Sequence, residues 1–125
     1  MGDLSKHFSK VEFVCQCIYV DCNCKDGEQI SKDLIKNLEN VRELFGNPIT
    51  ITSGLRCEAH NKAVGGSPDS AHTKGLAVDI LCKNSRYRSH LLPLLWNRFK
   101  RIGIHKDFIH VDVDKSKDTD VVWVY

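Results

Sequence analysis

Residues 76–81 read Leu-Ala-Val-Asp-Ile-Leu, and their alternation decides the fold. Period two sends Leu76, Val78 and Ile80 to one face and Ala77 and Asp79 to the other, which predicts a strand with an apolar face for the core and a carboxylate on its reverse. Residues 108–113 repeat the pattern: Ile109, Val111 and Val113 point one way, His110 and Asp112 the other. Upstream, residues 48–53 set Ile49 and Ile51 against Thr50 and Thr52, a β-branched alternation that predicts a half-buried strand. Residues 121–125 offer a fourth.

Helices fill the intervals. Over residues 32–45, Leu34, Ile35, Leu38, Val41, Leu44 and Phe45 recur at helical spacing, Ser31 caps the start, and Gly46 and Pro48 stop the end. A short polar helix is predicted at 58–64, ended by Gly65 and Gly66, and a surface loop at 67–71. Residues 86–101 carry Leu91, Leu92, Leu94, Leu95, Trp96 and Phe99 at helical spacing, with Pro93 kinking that helix or marking its first turn. Ser9 and Glu12 form a capping-box pair for a helical turn at 10–14. Short helices and strands alternate without a βαβ glycine signature. The predicted class is therefore α+β, a mainly antiparallel sheet packed with helices, in a single domain over 1–125.

The chain has 125 residues, 42% of them hydrophobic, enough for one core but not two. Eighteen Lys and Arg against sixteen Asp and Glu leave a formal charge of +2, too balanced for the basic footprint of a nucleic-acid binder. No run of 18 or so apolar residues predicts membrane insertion, and the polar first ten residues carry no export signal. The expectation is synthesis in the cytoplasm, with any action at the cell wall needing release by another protein.

Four of the six Cys crowd an N-terminal segment, residues 1–30, as Cys15, Cys17, Cys22 and Cys24. Thiolates at these positions could fill a tetrahedral zinc site, although zinc-binding Cys pairs usually leave two to four residues between them and here there is one. Local disulfides and free thiols are the other readings.

His72 lies seven residues before Asp79, across Gly75, so it can fold back toward the face shared by Asp79 and His110. Two His, one Asp and a water make up a catalytic zinc site with an open fourth position. On spacing alone, Asp79 and His110 could equally be solvated residues on an exposed sheet face.

Ser70-Ala-His72-x-x-Gly75-x-Ala77-x-Asp79, followed by Asp107-Phe-Ile-His110-Val-Asp112, resembles the zinc-dependent D-Ala-D-Ala carboxypeptidase and peptidoglycan endopeptidase family, which shares its fold with the hedgehog signalling domain. Thr52-Ser-Gly-Leu-Arg56, residues 61–66 and residues 13–24 are similar to further family segments, the last in phage-type members. The resemblance implies zinc held by His72, Asp79 and His110, and Asp107 as the base that activates the zinc-bound water and later protonates the leaving amine. On an ideal strand Asp107 and His110 face opposite ways, so a bend near Lys106 or Phe108 is expected. Some relatives carry a catalytic His where Phe108 stands, which leaves Asp107 for the task.

Arg56 is implied as the clamp for a substrate carboxylate or for the developing oxyanion, against the plainer reading of a surface Arg in a salt bridge. Ser70 either hydrogen-bonds substrate or caps its loop. His105 stands where relatives often have Tyr, Asp112 is read as orienting a ligand, and His7, His60 and His90 as structural or exposed. The implied function is a monomeric zinc peptidase acting on stem or cross-link peptides of peptidoglycan, as a carboxypeptidase or an endolysin of bacterial or phage origin. A non-catalytic, hedgehog-like zinc-binding domain is the alternative.

Overall fold

The computed structural model describes residues 2–16, 27 and 29–125; Cys17, Cys22 and Cys24 lie outside the described residues. Among the described residues, three α-helices and five strands follow in the order α1 (Lys32–Phe45), β1 (Ile51–Ser53), α2 (Glu58–Ala63), β2 (Ala77–Leu81), α3 (Ser85–Trp96), β3 (Arg101–Ile104), β4 (Phe108–Asp112) and β5 (Val121–Val124). The strands form one sheet in the order β1-β2-β4-β3-β5. Its pairings are antiparallel except β3 with β5, which run parallel. This is the α+β class with a mainly antiparallel sheet that the alternation predicts.

Helix α1 has the bounds its sequence predicts: Ser31 Oγ accepts from the Leu34 N–H, and Gly46 closes the helix in the left-handed conformation. Leu34, Ile35, Leu38 and Val41 are buried against Leu91 and Leu95 of α3 and against Val78, Ile80, Ile102, Ile109 and Val111 of the sheet. Leu44 departs from the predicted stripe and is exposed. The N-terminal segment closes the core with Phe8 and Phe13, and Glu39 of α1 ties it down by accepting from Ser5 Oγ and from the N–H and ring of His7.

The predicted helix over 86–101 is corrected at both ends. Asn84 caps α3 by accepting from the Tyr87 N–H, and the helix stops at Trp96. Phe99 keeps helical spacing from Leu95 and is buried like it, but reaches the core from a turn in which its N–H bonds the Leu95 carbonyl. Periodicity therefore runs past the helix and conceals β3, whose four residues Arg-Ile-Gly-Ile are a short signal interrupted by glycine. Pro93 sits inside α3 on its exposed face, where solvent can satisfy the carbonyl left without a donor. The strand predicted over 48–53 is also shorter. Only Ile51–Ser53 is strand, in irregular register with β2, although Thr50 still accepts from the Leu81 N–H. The helical turn expected at 10–14 is a 3-10 turn at Lys10–Glu12.

Register fixes what the reverse face carries. Ser53, Asp79, His110, Gly103 and Trp123 are successive partners across all five strands, and Asp112 pairs with both Ala77 and Arg101. Gly103 leaves space that the Trp123 ring fills on its way to His110: a Cβ there would meet the indole Nε1 at 2.5 Å. Gly103→Ala is expected to push Trp123 outward and cost about 1–3 kcal/mol, the usual range for overpacking. A urea denaturation curve with an unchanged midpoint would contradict this.

Candidate metal centre

His72 arrives on a 3-10 turn, Ala71–Lys74, that local chemistry builds. Ser70 caps it by accepting from the His72 N–H at 3.2 Å, which is the loop-capping role considered for it. Gly75 ends it at φ +72°, and a Cβ there would lie 2.1 Å from the Gln29 carbonyl oxygen, so only glycine turns the chain into β2 at this point. Asp79 and His110 are opposite one another on β2 and β4. Neither is solvated: Asp79 is 5% and His110 7% exposed, and His72 only 2%. The exposed-face reading of these residues is thereby excluded.

The three side chains converge. His72 Nε2 is 3.2 Å and His110 Nδ1 3.0 Å from the same Asp79 oxygen, and the three donor atoms lie within 4.8 Å of one another. Donors placed ~2.0–2.1 Å from a tetrahedral ion stand about 3.3 Å apart, so both separations from Asp79 match a zinc site and the set can hold that metal. Each ring is also oriented through its other nitrogen. His72 Nδ1 lies 2.8 Å from the Gly54 carbonyl, and His110 Nε2 lies 2.7 Å from Asp112. Such partners fix the tautomer and make the ligand nitrogen more basic.

Electrostatics supports the same arrangement. Burial would raise the pKa of Asp79, but hydrogen bonds from His110 and His72 outweigh it and hold the carboxyl well below the usual range. Burial opposes charge on His110, yet Asp112 and Asp79 lift its pKa above the ordinary value, so a metal ion competes with a proton for Nδ1. Two guanidinium groups complete the balance. Arg56 donates to Asp79 at 3.4 Å, to Asn61 at 3.1 Å and to Ser53 at 3.2 Å. Arg101 donates to Asp112 at 2.8 Å and lies under the Trp123 ring, 5.0 Å from its centroid. Arg56 is thus in an ion pair, but a part-buried one beside the metal-ligand candidate.

Asn61, Arg101 and Trp123 are site residues the sequence reading missed. Asn61 falls within the 61–66 stretch similar to the family but carries no role in that reading; Arg101 is hidden in the overextended helix, and Trp123 in an isolated end segment. Asp107 lies in the turn before β4, half-buried, outside the strand alternation. Its N–H donates to His105 Nδ1 and its carbonyl accepts from Cys82, while its carboxylate has no hydrogen bond or ion pair among the described residues. His105 stacks on Phe108 with 4.5 Å between ring centroids and touches Tyr125. Cys15 contacts Cys57 and His60, so His60 has a partner that its sequence context did not suggest. Among the described residues a second group of donors, His7, Glu39 and Glu43, includes the Glu39 lock on the N-terminal segment.

Asp114 fastens the end of β4 to the turn of His72, accepting from Lys74 Nζ at 3.0 Å and from Ser116. Burial opposes its charge, but Ser116 and Lys74 bring its pKa down to about 2. A depressed folded-state pKa stabilises the fold above the unfolded value of 3.8, and that contribution is lost as pH falls toward about 2. Asp114→Asn should flatten the acid limb of the stability curve between those values. A limb as steep as that of the wild type would refute the assignment.

Residues 6–112 match the family described as Peptidase M15. No curated protein matches the chain.

Proposed function

We propose, since this chain belongs to the peptidase M15 family, that it is a zinc metallopeptidase whose substrates are the stem or cross-link peptides of peptidoglycan. Family membership makes the chain a peptidase of a zinc-dependent family, with His72, Asp79 and His110 as a site able to hold the metal. One observation carries the reading: three buried donor atoms spaced for zinc, each imidazole steered by a second partner. When bound, zinc supplies a Lewis acid that polarises the scissile carbonyl and lowers the pKa of a coordinated water toward ~7.

The chain's own residues do the rest. Gly54 and Asp112 orient the rings, and Arg101 holds Asp112. Arg56 steadies Asp79 and presents its fork to the substrate carboxylate or to the oxyanion that forms as water adds to the carbonyl. Ser70 caps the same turn through its oxygen, and in this reading its hydroxyl hydrogen meets the substrate backbone. Asp107 takes the proton of the attacking water and gives it to the leaving amine as the C–N bond breaks. In this reading the protein acts as a monomer and reaches the wall through release by another protein.

The non-catalytic zinc-binding domain remains the second reading, drawn from the absence of any contact between the Asp107 carboxylate and the three ligands among the described residues. Mass spectrometry of purified muropeptides after incubation with zinc-loaded protein separates the two. Hydrolysed products, with masses that identify the bond, are expected. Intact muropeptides at every zinc concentration would leave the binding domain.

A further inference from the structure

The reverse face of the sheet continues past the metal centre, and its rings beyond Trp123 have no part in the hydrolysis proposed above. β5 runs parallel to β3, with Gly103 opposite Trp123 and Ile104 opposite Val124, and the Tyr125 N–H extends the pairing by donating to the Ile104 carbonyl. Period two therefore puts Tyr125 on the face of Trp123 and His110, and Val124 on the other. Three rings clamp it: Phe108 at 5.3 Å, His105 at 5.6 Å and Trp123 at 6.4 Å between centroids. His105 and Phe108 stack on each other, and Trp123 is occupied by His110 and Arg101, so Tyr125, 60% exposed, is the open ring of the cluster.

We propose that Tyr125 is a substrate-contacting residue of this centre, its hydroxyl donating, beside Arg56, to an anionic oxygen of the substrate.

The placement of the ring carries this furthest. Tyr125 is the exposed end of an aromatic row that begins at His110, 5.3 Å from Trp123, so whatever peptide approaches the centre from this side meets it first. A ring held on three sides gives up little freedom when a ligand arrives, which makes it an inexpensive contact. The chemistry of its tip agrees. The hydroxyl is hydrogen-bonded to the Trp123 indole, and an indole N–H only donates, so the phenol oxygen accepts and keeps its own hydrogen for another partner. Among the described residues no protein acceptor takes that hydrogen. The phenol also lies within the fields of Asp79, Arg56 and Asp112, which sets its tip toward the centre. Arg56 and the hydroxyl thus address one space, a cation and a neutral donor that together suit an oxygen bearing negative charge. Two such oxygens arise in peptide hydrolysis: a terminal carboxylate of the substrate, and the oxyanion formed as water adds to the scissile carbonyl.

The test reads binding as well as turnover, so failure here is separable from failure of the peptidase reading on which the proposal rests. In the full chain carrying Trp96→Phe, Trp123 is the one remaining indole, and its fluorescence reports binding of a defined pentapeptide stem to the metal-free protein. Tyr125→Phe keeps the clamped ring and removes the hydroxyl alone. If the oxygen is the terminal carboxylate, Tyr125→Phe weakens binding about 10- to 100-fold, the scale of a hydrogen bond to a charged group, and an amidated stem abolishes the difference between variant and wild type. If it is the oxyanion, binding is unchanged and kcat of the zinc-loaded variant falls by ~100-fold or more at constant KM. Val124→Ala, on the opposite face, should change neither. A Tyr125→Phe variant that matches the wild type in both binding and turnover overturns the proposal, including the case in which neither protein binds or cleaves the stem. Weakened binding in Tyr125→Phe, with no hydrolysis by the wild type, would keep the contact and remove the peptidase; equal binding and equal hydrolysis by both would keep the peptidase and remove the contact.

Discussion

His72→Ala and His110→Ala are expected to abolish the proposed peptide hydrolysis and to release metal from the candidate centre; no other substitutions are expected to do more harm. Each variant removes one of three protein donors, and two remaining ligands do not retain zinc against a chelator. His110→Ala has a second effect. The imidazole stands between two carboxylates, at 3.0 Å from Asp79 and 2.7 Å from Asp112, and its loss leaves both anions buried, Asp79 with His72 and Arg56 and Asp112 with Arg101 and the Asp114 N–H for compensation. Removing one partner of a buried ion pair costs about 3–5 kcal/mol. The metal-free variant should therefore unfold at lower urea than the metal-free wild type. Metal is to be counted in a background where Cys15, Cys17, Cys22 and Cys24 are replaced, so that thiols do not hold it elsewhere. Unchanged metal content in both variants would sink the ligand assignment.

The second large effect is that of Asp107→Asn, expected to keep zinc bound while turnover falls by ~100-fold or more, the usual scale for losing a general base. Asparagine preserves the size of the side chain and both backbone contacts of the turn, the N–H to His105 and the carbonyl to Cys82. The fold is thus unaffected, and the change isolates the proton acceptor. Turnover is measured on a defined pentapeptide stem or a cross-linked muropeptide at saturating zinc. Wild-type turnover in this variant would reduce Asp107 to a carboxylate near the strand entry. No turnover in either protein, with zinc present, would favour the domain that binds and does not cleave.

Local rules carry the reading of this sequence as far as they reach. Alternation at residues 76–81 and 108–113 places Asp79, His110 and Asp112 on the face away from the core, because strand side chains obey period two without help from tertiary contacts. Helix α1 is legible for the same reason, with its cap and stop both written beside it. What fails is whatever a distant residue decides. Phe99 prolongs the helical rhythm although it approaches the core from a turn, so β3 and Arg101 are concealed together. The ring against His110 is that of Trp123, which lies over Gly103, a glycine whose spacing resembles any other. The contact between Cys15 and His60 spans 45 positions, and nothing near either residue announces it. Arg56 is legible as functional, but its grip on Asp79 is a property of the assembled sheet.

The row from Ser53 through Asp79, His110 and Gly103 to Trp123 makes the centre a witness to its own folding. A slip of one residue between β2 and β4 would set Ile109 or Val111 opposite Asp79 and drive His110 into the apolar layer, since adjacent positions on a strand face opposite ways. A partly zipped sheet, with β3 and β5 unpaired, would lack Arg101 to hold Asp112 and the indole that covers His110. A donor set able to hold a metal is thus complete only in the fully paired sheet, and a chain that has gone astray on the way is unarmed.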